Sequence, residues 1–403
     1  MALKITDIGE LTTFNSDKNR IIRMTGMDMI IEEGRISEID EGLPDADEKV
    51  DASGRLVTPG FVDAHTHPVF AKARADEFGM RISGKSYQEI ADQGGGIRAS
   101  VKAVREMPEK QLLELTKNHL EDFLSLGTTT VEAKSGYGLS TESELKSLMV
   151  LSKAADSVAI NVVPTFLGAH DFPHEFADNR RGYVDLICDE MIPAVTKQGI
   201  AQFCDVFCEN GWFDVESSRR ILETGKEHGL KPRLHADEFV ASGAAELAAE
   251  VDAFSADHLM HVSDEGIRKM AEAGVVAILL PGTTFFLGKQ TYAPARKLMD
   301  AGVEVAVATD FNPGSCSIQS MPFIMNLSCL YLGMSVEESF MGATHVAAKS
   351  LGWENRVGSL EVGMEADVVI WDVDRLEGIP YHMGGNKVHK VIKSGRGVVY
   401  GGK

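Results

Sequence analysis

Two histidines occupy alternate positions in the string VDAHTHP, as His65 and His67. On an extended strand residues i and i+2 project to the same side, so both imidazoles can face one ion. Three more residues with metal-binding side chains end similar apolar runs: His235 in PRLHADE, His258 in AFSADHL and Asp310 in EVAVATD. Imidazoles with one carboxylate make a mixed nitrogen and oxygen donor set that suits Zn²⁺ or iron and leaves room for water. Such an ion turns water into a competent nucleophile and polarises a carbonyl, the chemistry of metal-assisted hydrolysis. A base must take the water proton, and an acid must protonate the leaving group. Asp310 and His258 are placed to handle the water, and Glu238, three residues beyond His235, is a candidate proton shuttle. Asp237 is the weaker candidate, because adjacent residues on an extended segment face opposite ways. A lone His-x-His arises often by chance. Its combination with an aspartate at the end of the last apolar run does not.

These side chains need strands that end together. Eight short runs recur between helical segments: FVDAHTH (61–67), TTTVEAK (128–134), INVVPTFLGAH (160–170), FCDVFCE (203–209), PRLHADE (232–238), AFSADHL (253–259), VVAILLP (275–281) and EVAVATD (304–310). Nearly continuous apolar runs suit strands buried on both faces, hence a parallel sheet. Eight of them alternating with helices predict an α/β chain built on a (β/α)₈ TIM barrel, whose active site forms at the C-terminal strand ends. A helix is expected over 108–126, where Leu112, Leu113, Leu120 and Leu124 recur at helical spacing before Gly127, and the last helix over 335–350. Thr141 with Glu144 and Ser335 with Glu338 have capping-box spacing. The ends read differently: GMDMIIEEGRISEID looks like strand, Glu-Glu-Gly turn and strand, and KVHKVIKSGRGVVYGG like strands and turns. The expected organisation is a barrel over 58–357 flanked by a small β-sandwich built from 1–57 and 358–403.

The chain has 403 residues and a formal net charge of −20, with no basic patch, which excludes nucleic acid and an anionic membrane surface as expected partners. Five cysteines read as free thiols of a reducing compartment; Cys204 and Cys208 are four apart, but no second pair completes a zinc site. The first residues lack the apolar core of a signal peptide, and no apolar stretch approaches a membrane span, so a soluble, cytoplasmic protein is expected.

Over almost its whole length the chain resembles the amidohydrolase superfamily. VTPGFVDAHTH (57–67) looks like that superfamily's entry into its first barrel strand, and GSLEVGMEADVVIWD (358–372) like its return into the flanking sandwich. The resemblance implies a metal-dependent hydrolase in which His65, His67, His235 and Asp310 bind the metal, with His258 beside it as base or carbonyl polariser. Binuclear members carry a carboxylated lysine on the fourth strand, which here ends in Cys208-Glu209. One Zn²⁺ or Fe ion per chain is therefore the expectation. Lys134, at the end of the second run, reads as a structural or surface lysine.

Six local strings narrow the resemblance: HTHPVFAKARADEF (65–78), GGGI (94–97), KSGYGL (134–139), TFLGAH (165–170), HADEF (235–239) and TDFNPGS (309–315). They resemble a branch that opens an imidazolone ring bearing a propanoate tail, in histidine degradation. That likeness implies Arg74 as the tail's cation, its planar fork suited to a carboxylate. Tyr137, His170 and Tyr87 are further hydrogen-bond donors. Asn312, Gly314 and Ser315 would hold the ring or its product, although NPGS alone reads as a turn. GGGI lacks the lysine and context of a phosphate loop and reads as a flexible loop near the barrel mouth. A cytosine- or guanine-type deaminase of the same superfamily would bind a neutral heterocycle and would not need these groups. A non-catalytic barrel would be expected to lose metal ligands, and all four are present. The expected partner is a small carboxylate-bearing substrate. Homodimers are common in the superfamily, and LSCLYLGM (327–334) is apolar enough for an interface or a buried helix.

Overall fold

A computed structural model of the chain describes residues 2–85, 89 and 95–400. Seven strands come first: β1 (Ala2–Thr6), β2 (Glu10–Asn15), β3 (Arg20–Met24), β4 (Asp28–Glu32), β5 (Arg35–Asp40), β6 (Glu48–Asp51) and β7 (Leu56–Pro59). The barrel strands follow as β8 (Phe61–Asp63), β9 (Thr128–Lys134), β10 (Asn161–Ala169), β11 (Phe203–Cys208), β12 (Lys231–Ala236), β13 (Ser255–His258), β14 (Val276–Leu279) and β15 (Val305–Val307). Each of the eight apolar runs supplies one. They pair in sequential order and in parallel, as isolated apolar runs separated by helices require.

The first and last barrel strands meet beyond their regular ends. Thr66 bridges Phe311 in parallel, Asp310 N donates to His65 O at 3.0 Å, and His67 N donates to Phe311 O at 2.8 Å. Below this seam the buried carboxylate of Asp63 accepts from Thr309 N (3.0 Å) and from Thr309 Oγ1. The seam that closes the barrel therefore also sets His65 and His67 against Asp310.

Every barrel strand is followed by at least one helix, including Glu109–Ser125 and Thr141–Ala155. Two local expectations change. Helix Thr141–Ala155 is capped by Ser140, whose side chain accepts from Ser143 N, and Glu144 does not turn back on Thr141. It accepts instead from Gly136 N, Gly138 N and Leu139 N at 2.8–2.9 Å, because the preceding loop offers three otherwise unpaired buried donors. The expected last helix is two, Val336–Gly342 and His345–Ser350, broken at Thr344, and a short helix Gly378–Tyr381 follows. The Ser335–Glu338 capping box forms.

The chain ends with β16 (Val368–Trp371), β17 (Val388–Lys393) and β18 (Arg396–Tyr400). Terminal strands form two sheets, β5-β4-β1-β6 and β18-β17-β16-β7-β2-β3. Residues of both sheets, among them Ile5, Ile31, Leu11, Val57, Val368 and Ile370, share one apolar cluster, so the two sheets form the layers of a sandwich. The Glu-Glu-Gly turn is a tight hairpin with Glu33 and Gly34 both at positive φ (51° and 79°). Trp371 ties sandwich to barrel: it is fully buried, its Nε1 donates to Thr58 Oγ1 at 2.8 Å, and it packs against Phe61. Gly127 before β9 has φ +88°, and a Cβ there would lie 2.9 Å from the Trp371 ring, so only glycine fits.

Among the described residues no helix is long and apolar enough to cross a membrane. In the 327–334 segment, Leu327 and Ser328 are buried whereas Leu330 and Tyr331 are exposed, so it is part core and part surface.

Candidate active site

At the C-terminal end of the barrel, His65 Nε2 and His67 Nε2 lie 3.2 Å apart, and each lies within 3.6 Å of Asp310 Oδ1 (3.6 and 3.5 Å). Donors on a tetrahedral ion, at about 2.0–2.1 Å from it, stand about 3.3 Å from one another, so these separations fit one ion. His235 joins the group: its ring lies 4.5 Å from that of His65, and its Nε2 is buried without a partner among the described residues. Three overlapping triads keep their donor atoms within 4.8 Å: His65-His67-Asp310, His65-His235-His258 and His67-His170-His235. Burial, helped by neighbouring positive groups, drives the pKa of His65 and His67 well below the usual value, so both are neutral, as a ligand must be.

A layer of charge beneath the donors fixes their rings. His65 Nδ1 stands 2.6 Å from Asp257 Oδ2, and His235 Nδ1 stands 3.1 Å from Asp205 Oδ1. Each contact places the ring proton on Nδ1 and leaves Nε2 free toward the ion. Both aspartates are fully buried, as are Lys134, Glu132 and Arg233. Lys134 Nζ lies 2.9 Å from Glu132, 2.8 Å from Asp205 and 4.0 Å from Asp257, and Arg233 Nη2 lies 3.4 Å from Asp257. Burial opposes charge on Lys134, but these carboxylates outweigh it and raise its pKa. Lys134 is thus structural and not on the surface: it faces the barrel interior, where its charge holds the carboxylates that hold the histidines. Burial would lower His235 too, and Asp205 outweighs it.

Beside the donors, His258 Nε2 lies 3.7 Å from Glu238 Oε2. Burial pulls His258 down to about 3, against the pull of Asp310. Burial, with the Asp310 charge, pushes Glu238 up to about 7, so its carboxyl can hold or release a proton near neutrality. His258 and Asp310 both take positive φ (76° and 53°), a left-handed turn at the strand end. Asp237 has another duty: it accepts from Ser242 N, Ser242 Oγ, Ala244 N and Ala245 N and anchors the start of the helix Ala244–Glu250.

One cavity of about 680 Å³ opens over these groups. Arg74, Tyr137, His170, Asn312, Gly314 and Ser315 all line it. His170 stacks on His67 (centroids 5.1 Å, 18°), with its Nδ1 2.9 Å from Gly136 O, and Tyr137 lies beside both rings. Arg74 Nε donates to Glu77 Oε2 at 3.0 Å, and its guanidinium lies against Gly314, where a Cβ would fall 2.4 Å from Cζ. Asn312 spends its side chain inside the loop: Nδ2 donates to Asp310 O, and Oδ1 accepts from Gly314 N, Ser315 N and Ser315 Oγ. It shapes the 312–315 turn next to Asp310 more than it offers a free amide. Tyr87 and Gly94 lie outside the described residues; Gly96 N donates to Glu77 Oε1. Sequence reading missed Arg81 and Lys289 on the cavity wall, and the Asp205, Asp257, Glu132 and Arg233 layer below it.

Residues 56–398 match the amidohydrolase family. An imidazolonepropionase of Geobacillus sp. (strain WCH70) is 52% identical over 356 residues, 88% of this chain and 84% of that protein. One from Symbiobacterium thermophilum is 48% identical over 417 residues, covering 100% of this chain and 98% of its own length. Solved structures share the fold at lower identity. A triazine hydrolase variant superposes with a TM-score of 0.80 at 17% identity, covering 99% of this chain and 95% of its own. An adenosine deaminase from Xanthomonas campestris with bound zinc gives 0.74 at 17%, covering 99% and 93%. The chain belongs to the amidohydrolase family and, within it, to the group of the imidazolonepropionases.

Proposed function

We propose that this protein hydrolyses the ring of 4-imidazolone-5-propanoate to N-formimidoyl-L-glutamate, in histidine degradation, using one Zn²⁺ or Fe ion per chain. The identities near 50% with imidazolonepropionases support the reaction. The observation that carries the substrate class is the shared cavity: a guanidinium, a phenol and an imidazole stand over a set of histidine and aspartate donors.

In this reading His65, His67, His235 and Asp310 hold the ion. When bound, the ion supplies a Lewis acid that activates water and polarises the amide carbonyl. Asp257 and Asp205 keep the Nε2 lone pairs of His65 and His235 directed at it. His258, placed beside Asp310, is the base or carbonyl polariser and not a fifth ligand. As the water oxygen bonds to the carbonyl carbon and the carbon–nitrogen bond breaks, a proton must reach the departing ring nitrogen. Glu238 carries it, poised by burial near neutrality. Arg74 takes the propanoate, with Tyr137, His170 and Tyr87 as further donors, and the Asn312–Gly314–Ser315 turn backs the ring.

Metal-loaded protein is mixed with 4-imidazolone-5-propanoate, following loss of ring absorbance and appearance of formimidoylglutamate. Turnover is expected. No turnover, together with ammonia release from a neutral pyrimidine or purine, would move the chain to the deaminases.

A further inference from the structure

Arg81 lies in the last turn of the helix Ala75–Ile82, and Arg74 immediately precedes that helix. Seven residues are about two helical turns, so the two arginines lie on one face. Both meet Gly314. Arg74 packs flat against its Cα side, and Arg81 Nη1 donates to its carbonyl at 3.0 Å. Both line the cavity above the histidines. The rings of Phe78 and Phe286 stand 5.9 and 5.5 Å from Arg81 Cζ and restrain the side chain.

Two features are unexplained by a purely structural Arg81. Its Nη2 is buried and has no partner among the described residues, a costly state for a guanidinium N–H. The acid beside the pair is also already committed: Glu77 is spent on Arg74 Nε and Gly96 N. Burial and the Arg74 charge both work against the charged form of Arg81, offset in part by Glu77. One monoanionic carboxylate would satisfy the free Nη2.

We propose that Arg81 is the second cation of the tail subsite, so that the substrate carboxylate is gripped between Arg74 and Arg81 across Gly314. This rests on the reading of the substrate as a ring bearing an anionic tail. It makes Arg81 a residue that discriminates for the tail and leaves the ring chemistry to the metal set.

The test is calorimetric binding to metal-loaded protein of two ring-matched probes, imidazole-4-propanoate and 4-methylimidazole, by wild type and Arg81→Gln. Charge-assisted hydrogen bonds predict that Arg81→Gln weakens the propanoate probe about 10- to 100-fold, with the methyl probe changed less than about threefold. Arg81→Lys keeps a point charge without the fork and should fall between, which also decides the matter if the glutamine variant does not fold. Equal weakening of both probes, or an unchanged propanoate affinity, would overturn the role of Arg81. A wild type that does not prefer the propanoate probe would instead sink the tail reading itself, so the two failures are distinct.

Discussion

Asp257→Asn separates holding a metal from holding the fold. Asp257 is fully buried, with Oδ2 at 2.6 Å from His65 Nδ1, 3.4 Å from Arg233 Nη2 and 4.0 Å from Lys134 Nζ. Asparagine has nearly the same shape but can turn an N–H toward the imidazole, which drives the ring proton to Nε2, the atom meant for the ion. Losing such an orienting carboxylate costs about 10- to 100-fold in metal affinity, or about 1.4–2.7 kcal/mol. Stability should respond differently. Glu132, Asp205 and Asp257 face Lys134 and Arg233, so removing one acid leaves two acids against two bases. At about 2.1 cal/mol/K per residue, a 403-residue chain shifts its Tm by only about 1 °C per kcal/mol, so the metal-free variant should melt within about 2 °C of wild type. Competition with a chromogenic chelator reads the affinity, and circular dichroism of the metal-free protein reads the melting. An affinity within twofold of wild type would refute the orienting role. A metal-free Tm lowered by more than about 5 °C would refute the charge count.

Lys134→Met should behave in the opposite way, stranding three buried carboxylates with Arg233 alone; a loss of about 3–5 kcal/mol, or about 4–6 °C in Tm, is expected, and unchanged melting would contradict it. Gly314→Ala forces a methyl group into Arg74, so KM for the propanoate substrate should rise at least tenfold with metal content intact; an unchanged KM would place the tail elsewhere. His258→Gln should keep one metal per chain, measured by elemental analysis, while kcat falls about 10²- to 10⁴-fold; loss of the metal would make His258 a ligand.

The donor residues were legible because barrel chemistry collects at strand ends, and His65, His67, His235, His258 and Asp310 each close an apolar run. The eight strands were legible for the same reason, since each run was bounded by turn or helix signals. The charged layer beneath was not, although its signal was present: Glu132 and Lys134 stand two apart in TTTVEAK, and Asp205 interrupts FCDVFCE. Such charges read as exceptions until the barrel closes. Lys134 on β9 reaches Asp205 on β11 and Asp257 on β13, strands that are not neighbours in the sheet. Alternate strands of a barrel share an interior layer, and that contact exists only in the closed form. Glu144 was misread for a related reason. Its spacing from Thr141 matched a capping box, but the buried amides of the 136–139 loop compete for the same carboxylate and win. Arg81 lacked any motif and becomes visible only once the helix after Arg74 turns it onto Gly314.

The central claim is a single-ion site built for hydrolytic ring opening, and metal titration of turnover tests it most directly. Metal-free protein receives Zn²⁺ or Fe²⁺ in steps, with 4-imidazolone-5-propanoate as substrate and formimidoylglutamate and ammonia measured together. Activity should saturate at one equivalent per chain, yielding formimidoylglutamate without ammonia, and His65→Ala with His67→Ala should abolish both binding and turnover. Saturation at two equivalents, ammonia as a stoichiometric product, or full metal content in the double variant would contradict it.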